Sequence, residues 1–248
     1  MKIIVCIKRV PDTAVKINIA ADGKNIDKKD LEYVMGPYDE IAMEHAVRAK
    51  EKETGEVIAL SLGSQDSEKE LRKCLAMGAD RAILLQTDVE TTDSFQIAQA
   101  ISKAIQNEQP DIILFGIKSV DTDNAQVPGM VASLLDIPYI TTVVQWEKKE
   151  NTILAESEVE GGHLEIESSL PCVLSIQKSN IEPRICNLLA IRKAKQKKLD
   201  IIPVTISSET TTIKLELPPK RTAGKIVGTG ADAVPELIRL LKEEAQVI

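Results

Sequence analysis

EVIALSLGSQDSEKELRKCLAMGADRAILL, Glu56–Leu85, reads as strand, helix and strand in immediate succession. Glu56–Leu62 is a short run of mostly apolar residues at successive positions, the pattern of a strand buried on both faces. Ser67–Met77 brings Leu71, Cys74 and Leu75 onto one side of a helix, and Gly78 supplies a residue suited to ending it. Arg81–Leu85 returns to a short apolar run. A strand, a helix and a second strand within about 30 residues form a right-handed crossover between parallel strands.

The alternation continues in both directions. Upstream, Lys2–Lys8 (KIIVCIK) predicts a buried strand, and Tyr38–Lys52 a helix carrying Ile41, Ala42, His45, Ala46 and Ala49 at helical spacing. Between them, residues 13–37 hold Asp22-Gly23 and Gly36-Pro37 and predict a hairpin or extended excursion. Downstream come a helix over Asp93–Asn107, a strand over Ile112–Phe115 and a helix over Val127–Leu135. Thr141–Trp146, Thr152–Val159, His163–Glu167 and Cys172–Ile176 predict short antiparallel strands. The expected fold is therefore α/β, a mostly parallel, doubly wound sheet with antiparallel additions. An α/β body over residues 1–198 is expected to be followed by an arm and helix over 199–248 that packs against another body, with helical spacing from Ala231 to Gln246.

The composition excludes several functions. A net charge of −7 with 2% aromatic residues gives neither the basic field nor the stacking rings of a nucleic-acid binder. His45 and His163 are the chain's two histidines, and neither neighbours a Ser, Cys or metal motif, so a triad or zinc site is not expected. Both read as surface or turn residues. Cys6, Cys74, Cys172 and Cys186 form no close pair and suit a reducing compartment. Ile3–Ile7 is too short for a signal peptide or a membrane span, so a cytoplasmic chain without a transmembrane segment is expected.

In an open parallel sheet, ligands sit outside the carboxyl ends of the strands where strand order reverses. Loops emerge there after Ile7, after Leu62 and after Phe115. The third, GIKSVDTDNAQVPGM (Gly116–Met130), places a glycine at the strand exit and short polar side chains ahead of a helix. Such a loop can aim backbone N–H groups at a phosphate. Asp121 and Asp123 are equally good turn formers and helix caps, so two readings stand open at this point. No third ligand or nucleophile accompanies this acidic pair, and neither acid–base catalysis nor a metal site is expected. GTGADA (Gly228–Ala233) has dinucleotide-fingerprint spacing but opens no βαβ unit, and no Walker A sequence occurs.

Several blocks together resemble one family, the β (smaller) subunit of electron-transfer flavoproteins. They are CIKRVPDT (Cys6–Thr13), GPYDEIAMEHAVRAKE (Gly36–Glu51), LAMGADRAILL (Leu75–Leu85), GIKSVDTDNAQ (Gly116–Gln126), EVEGG (Glu158–Gly162), EPRICNLLAIRKAKQKK (Glu182–Lys198) and PPKRTAG (Pro218–Gly224). Their number and order carry the likeness over nearly the whole chain.

The resemblance implies a Rossmann-like fold and a heterodimer with an electron-transfer flavoprotein α subunit that holds most of an FAD. The pair would carry electrons between flavin-dependent dehydrogenases, such as acyl-CoA dehydrogenases, and a quinone oxidoreductase or other acceptor. This chain would be an electron-carrier subunit with no catalytic side chain, and it would bind AMP. By position, the nucleotide contacts are Cys6, Gly36, Pro37, Tyr38, Asp39, Leu62, Gly116, Ile117, Lys118, Ser119, Val120, Asp121, Thr122, Asp123, Asn124, Ala125, Gln126 and Val127. In electron-bifurcating members a second FAD that oxidises NADH takes the place of AMP, and Ala125 with Val127 leans toward that pattern.

The resemblance also gives meaning to the basic segment after Arg184, which has six Arg or Lys residues up to Lys198 and no acid. It matches a recognition loop whose leucine, here Leu188, anchors in a pocket on partner dehydrogenases. Leu189 stands where many relatives have proline. Arg184, Arg192 and Lys193 would steer this segment toward an acidic surface. Glu158 matches a position implicated in releasing the flavin domain.

Overall fold

A computed structural model describes residues 1–89, 93–219 and 223–248. Its main sheet has nine strands in the order β11-β5-β4-β1-β6-β10-β7-β8-β9 among the described residues. The strands are β1 (Lys2–Ile7), β4 (Glu56–Gly63), β5 (Arg81–Gln86), β6 (Ile112–Gly116), β7 (Tyr139–Lys149), β8 (Thr152–Val159), β9 (Gly162–Ser169), β10 (Cys172–Ile176) and β11 (Leu199–Pro203). A separate antiparallel pair, β2 (Arg9–Pro11) and β3 (Tyr33–Met35), closes the base of the excursion over residues 13–37. Near the tip of that excursion Ile19 bridges Ile26, as a hairpin requires.

The apolar run of β1 has a direct structural cause. Ile3, Val5 and Ile7 face a core built with helices α1 (Pro37–Lys52) and α2 (Glu68–Met77). Ile4 and Cys6 face the opposite core, with α3 (Ser94–Glu108) and α4 (Val127–Leu135). Ile3, Ile4 and Val5 are all fully buried, and each such side chain contributes about 1.5–3 kcal/mol. Substituting a polar residue at any of them would strand it between two helical layers.

Two strands differ from the sequence reading. Cys172–Ile176 was expected to be antiparallel, but β10 runs parallel to β6 on one side and to β7 on the other. All five of its residues are buried, which is why CVLSI reads as a continuous run and not as alternation. Within the main sheet, antiparallel pairing among the described residues is confined to β7, β8 and β9. Leu199–Pro203, expected as the start of the arm, is an edge strand parallel to β5. Its Ile201 and Ile202 stay half-exposed, so its composition carries little strand signal. The remaining helices are α5 (Leu188–Ala194) and α6 (Val234–Glu243), the latter preceded by a 3-10 turn over Ala231–Ala233. Of the PPKRTAG block, residues 220–222 lie outside the described residues.

Candidate functional site at the switch in strand order

The chain leaves β1 through α1 to reach β4 on one side, then later crosses through α3 to β6 on the other. The carboxyl ends of β1 and β6 therefore flank the point where strand order reverses, the place where such sheets take ligands. α1 starts there, with Gly36 as its N-cap and Pro37 in its first turn. Proline is suited to that position because it gives up no intrahelical donor.

Asp39, in the first turn of α1, joins the two strand ends. Its Oδ2 accepts the Lys8 N–H at 2.8 Å and its Oδ1 accepts the Gly116 N–H at 3.0 Å. Only 7% of Asp39 is exposed. Burial pushes its carboxyl up to about 7, against the two N–H bonds and the Lys8 charge, which pull it down, while Asp121 adds a smaller upward push. Gly116 is the residue this approach demands: a Cβ there would lie 2.4 Å from Asp39 Oδ1 and 2.8 Å from the Asp39 nitrogen.

A pH dependence follows. Because the folded-state value lies above the ordinary 3.8, the native chain keeps a proton that the unfolded chain has released. This contribution is complete below the unfolded value and is lost as pH rises through about 7. A shift of this size corresponds to no more than about 4 kcal/mol. Urea midpoints should fall between pH 5 and 8 more steeply in the wild type than in Asp39→Asn, and equal slopes would exclude Asp39 as the source.

The loop after β6 is tied down by its own charges. Ile117 donates its N–H to the Ile176 carbonyl at 2.9 Å. Lys8 Nζ meets Asp121 Oδ2 at 2.7 Å, and Lys118 Nζ meets Asp123 Oδ1 at 2.8 Å. The Ser119 and Thr122 hydroxyls pair at 2.9 Å, and Asn124 Nδ2 donates to Ser94 Oγ at 3.0 Å. Asp123 and Ala125 adopt left-handed backbone, with φ of 56° and 51°. Val120 is half-buried and Gln126 exposed.

These contacts separate the two readings of the loop. Neither aspartate caps α4: each carboxylate is engaged with a lysine, and the N-cap residue Gln126 makes no side-chain cap. By contrast, Asp93 caps α3 by accepting from Phe95 and Gln96 N–H groups. The first turn of α4, starting at Val127, keeps uncapped N–H groups beside the switch, the arrangement that can hold a phosphate. Pro128 lies within that turn without loss of an intrahelical bond.

Not every expected contact offers a side chain. Cys6 packs into the α3–α4 core, and burial raises its thiol well above the ordinary range, so only its backbone faces the strand end. Leu62 packs against the same core. Tyr38 is half-buried and Pro37 exposed. Two hollows occur elsewhere, one lined by Ile105, Asp111 and Pro171 and the other by Gln99, Lys103 and Ile206. Neither is lined by a residue of the strand-end loops.

The basic segment emerges at a distance from the switch loops in sequence. Leu188 and Leu189 are 84% and 61% exposed, and Arg192 and Lys193 are exposed beside them on α5. Arg184 is not presented outward as a free charge. Its guanidinium is ion-paired with Glu44 at 2.8 Å and Glu51 at 2.6 Å, both on α1. Sequence reading missed Glu44 and Glu51, because only the fold places them opposite the segment. Glu158 is exposed on β8 and pairs across the sheet with His163.

His45 corrects an expectation. It is buried, not a surface residue, and burial pushes its imidazole down to about 4. Its helical spacing with Ala42 and Ala46 placed it on the inward face. His163 stays half-exposed beside Glu156, as a residue near a hairpin turn does. Among the described residues no group of His, Cys, Asp and Glu is arranged to hold a metal ion, and no helix is long and apolar enough to cross a membrane.

Comparison with known proteins places this arrangement in a family. The model of the electron transfer flavoprotein domain matches residues 24–207. The electron transfer flavoprotein subunit beta of Bacillus subtilis (strain 168) is 38% identical over 100% of both chains. That of Homo sapiens is 36% identical over 96% of each, and that of Dictyostelium discoideum 33% identical over 100% of this chain and 99% of its own. A family model covering most of the α/β body, joined to likenesses that run the full length, leads to one conclusion: the chain belongs to the electron transfer flavoprotein family, as a beta subunit.

Proposed function

We propose that this chain is the nucleotide-holding, dehydrogenase-docking half of an electron-transferring heterodimer whose FAD is bound mainly by an electron transfer flavoprotein α subunit. The observation that carries the nucleotide assignment is the pair of strand ends joined by Asp39 next to the uncapped first turn of α4. Backbone N–H groups of the Gly116–Val127 loop would receive the phosphate of AMP, with Gly36–Asp39 and the β1 and β4 ends around it. The flavin supplies the redox chemistry when bound, and this chain's residues bind and orient.

Releasing the nucleotide from the purified heterodimer by denaturation tests the reading. One FAD and one AMP per heterodimer are expected. Absence of any flavin would overturn the carrier assignment, and absence of an adenine nucleotide would overturn the switch-loop site. Two FAD would establish the bifurcating form, which Ala125 and Val127 favour and in which the same adenylate position is occupied.

Leu188 is the proposed docking anchor. Its exposure beside Arg192 and Lys193 joins an apolar knob to positive charge, and burying a leucine side chain contributes about 1.5–3 kcal/mol. Leu188→Ala should reduce the rate of flavin reduction at low dehydrogenase concentration by about 10- to 30-fold and leave flavin content unchanged. An unchanged rate would reject the anchor.

A further inference from the structure

The exposed docking segment is held at both ends by arginines that do not face outward. On the α1 side, Arg184 Nε and Nη2 donate to the two Glu44 oxygens at 2.8 and 3.1 Å. Its Nη1 and Nη2 donate to Glu51 at 2.6 and 3.1 Å. The Arg184 backbone N–H reaches Glu44 Oε2 at 3.2 Å, and Arg48 adds a bond to the Glu182 carbonyl at 3.3 Å. The Glu44 side chain is 2% exposed. Burial pushes its carboxyl up, and the bonds from Arg184 and Arg48 more than reverse this, leaving it below the usual range.

On the α2 side, Arg72 Nη1 donates to the carbonyls of Ala194 and Lys197 at 3.1 and 2.9 Å, closing the carboxyl end of α5. Lys197 reaches back to the Leu75 and Ala79 carbonyls at 3.0 and 2.6 Å. Glu68 holds Arg72 in place at 3.0 Å. Between the two anchors Cys186 and Ala194 turn inward against the α1–α2 core, while Ile185 and Leu188 stand 97% and 84% exposed. Asn187 stiffens this span by accepting the Ala190 N–H at 2.9 Å.

We propose that Arg184 and Arg72 are positioning residues that hold the two ends of the docking segment on α1 and α2, so that its exposed apolar span meets a partner already ordered. The inference rests on the docking reading above. Ordering a free segment on association costs backbone entropy at every residue fixed, and a segment ordered beforehand avoids most of this. The anchors therefore act on association and not on electron transfer within the complex. The positive charges left to steer a partner include Arg192, Lys193 and Lys195, since the charge of Arg184 is spent on Glu44 and Glu51.

The test uses the flavin-loaded heterodimer, with backbone hydrogen exchange over residues 185–194 and steady-state reduction by a flavin dehydrogenase that reduces the wild type. Arg184→Ala and Arg72→Ala should each speed exchange there about tenfold or more. KM for the dehydrogenase should rise about 5- to 20-fold with kcat little changed. Arg184→Lys, which can keep one of the two carboxylate partners, should fall between. Leu188→Ala should raise KM without changing exchange. Unchanged exchange in the arginine variants overturns the proposal, and so does faster exchange with unchanged KM while Leu188→Ala raises it. An unchanged KM in Leu188→Ala overturns the docking reading itself.

Discussion

Asp39→Ala is expected to lower stability by about 2–5 kcal/mol and to release the nucleotide proposed to sit beside it. The wild-type carboxylate satisfies the Lys8 and Gly116 N–H groups at once, from a position only 7% exposed. Removing it leaves two donors without an acceptor, and each buried unsatisfied donor costs about 1–3 kcal/mol. Water entering the space left would recover part of this for Lys8, which is half-exposed, and less for Gly116, which is buried. Asp39→Asn keeps one acceptor and turns an amide N–H₂ against the other donor, so about half the loss is expected. Urea unfolding and nucleotide content per chain measure both effects. A loss under about 1 kcal/mol would show that the carboxylate bridge does not hold the strand ends.

Gly116→Ala should be comparably damaging for a steric reason. The added methyl would sit 2.7 Å from Tyr38 Cβ and 2.8 Å from the Asp39 nitrogen, where carbon contacts are comfortable at about 3.5–4.0 Å. The obstacle is the first turn of α1 itself and not the far end of a flexible side chain, so the helix start must move off β6. Overpacking of this kind costs about 1–3 kcal/mol, and the displaced Asp39 adds the loss of its bond to Gly116. The thermal midpoint should fall and adenine nucleotide should be lost on purification. Gly129→Ala is the control: its nearest neighbour is a Tyr139 ring carbon at 3.3 Å, and a glycine inside a helix gains up to about 1 kcal/mol on change to alanine. Equal damage at both positions would remove the special role of Gly116.

Much of this molecule was legible from residue pattern. The parallel body follows from runs such as IIVCI and IILF, whose successive apolar residues can be buried only between two layers. The glycine at the exit of β6 and the polar loop before α4 marked the loop that lies at the switch in strand order. β10 was legible by the same rule, because CVLSI is apolar at nearly every position, but its place after three alternating strands invited the antiparallel reading. β11 carried no comparable signal, since an edge strand is covered on fewer sides and LDIIP mixes charge, apolar residues and proline.

Sequence alone determined the layered α/β architecture, the loop that ends at the switch in strand order, and the family to which the chain belongs. These depend on periodicity and on blocks read along the chain. Tertiary structure alone decided what the charges do. Along the chain Asp39 is a helix-end carboxylate like any other, and it becomes the bridge between β1 and β6 because those strands are neighbours in space. Asp121 and Asp123, read as capping residues or phosphate-loop residues, are spent on Lys8 and Lys118, which frees the first turn of α4. Arg184, read as a steering charge, is neutralised by Glu44 and Glu51 more than a hundred residues earlier. The physical reason is common to all three: backbone pattern is a local property, whereas the partner of a charge is whichever opposite group the fold brings within a few ångströms.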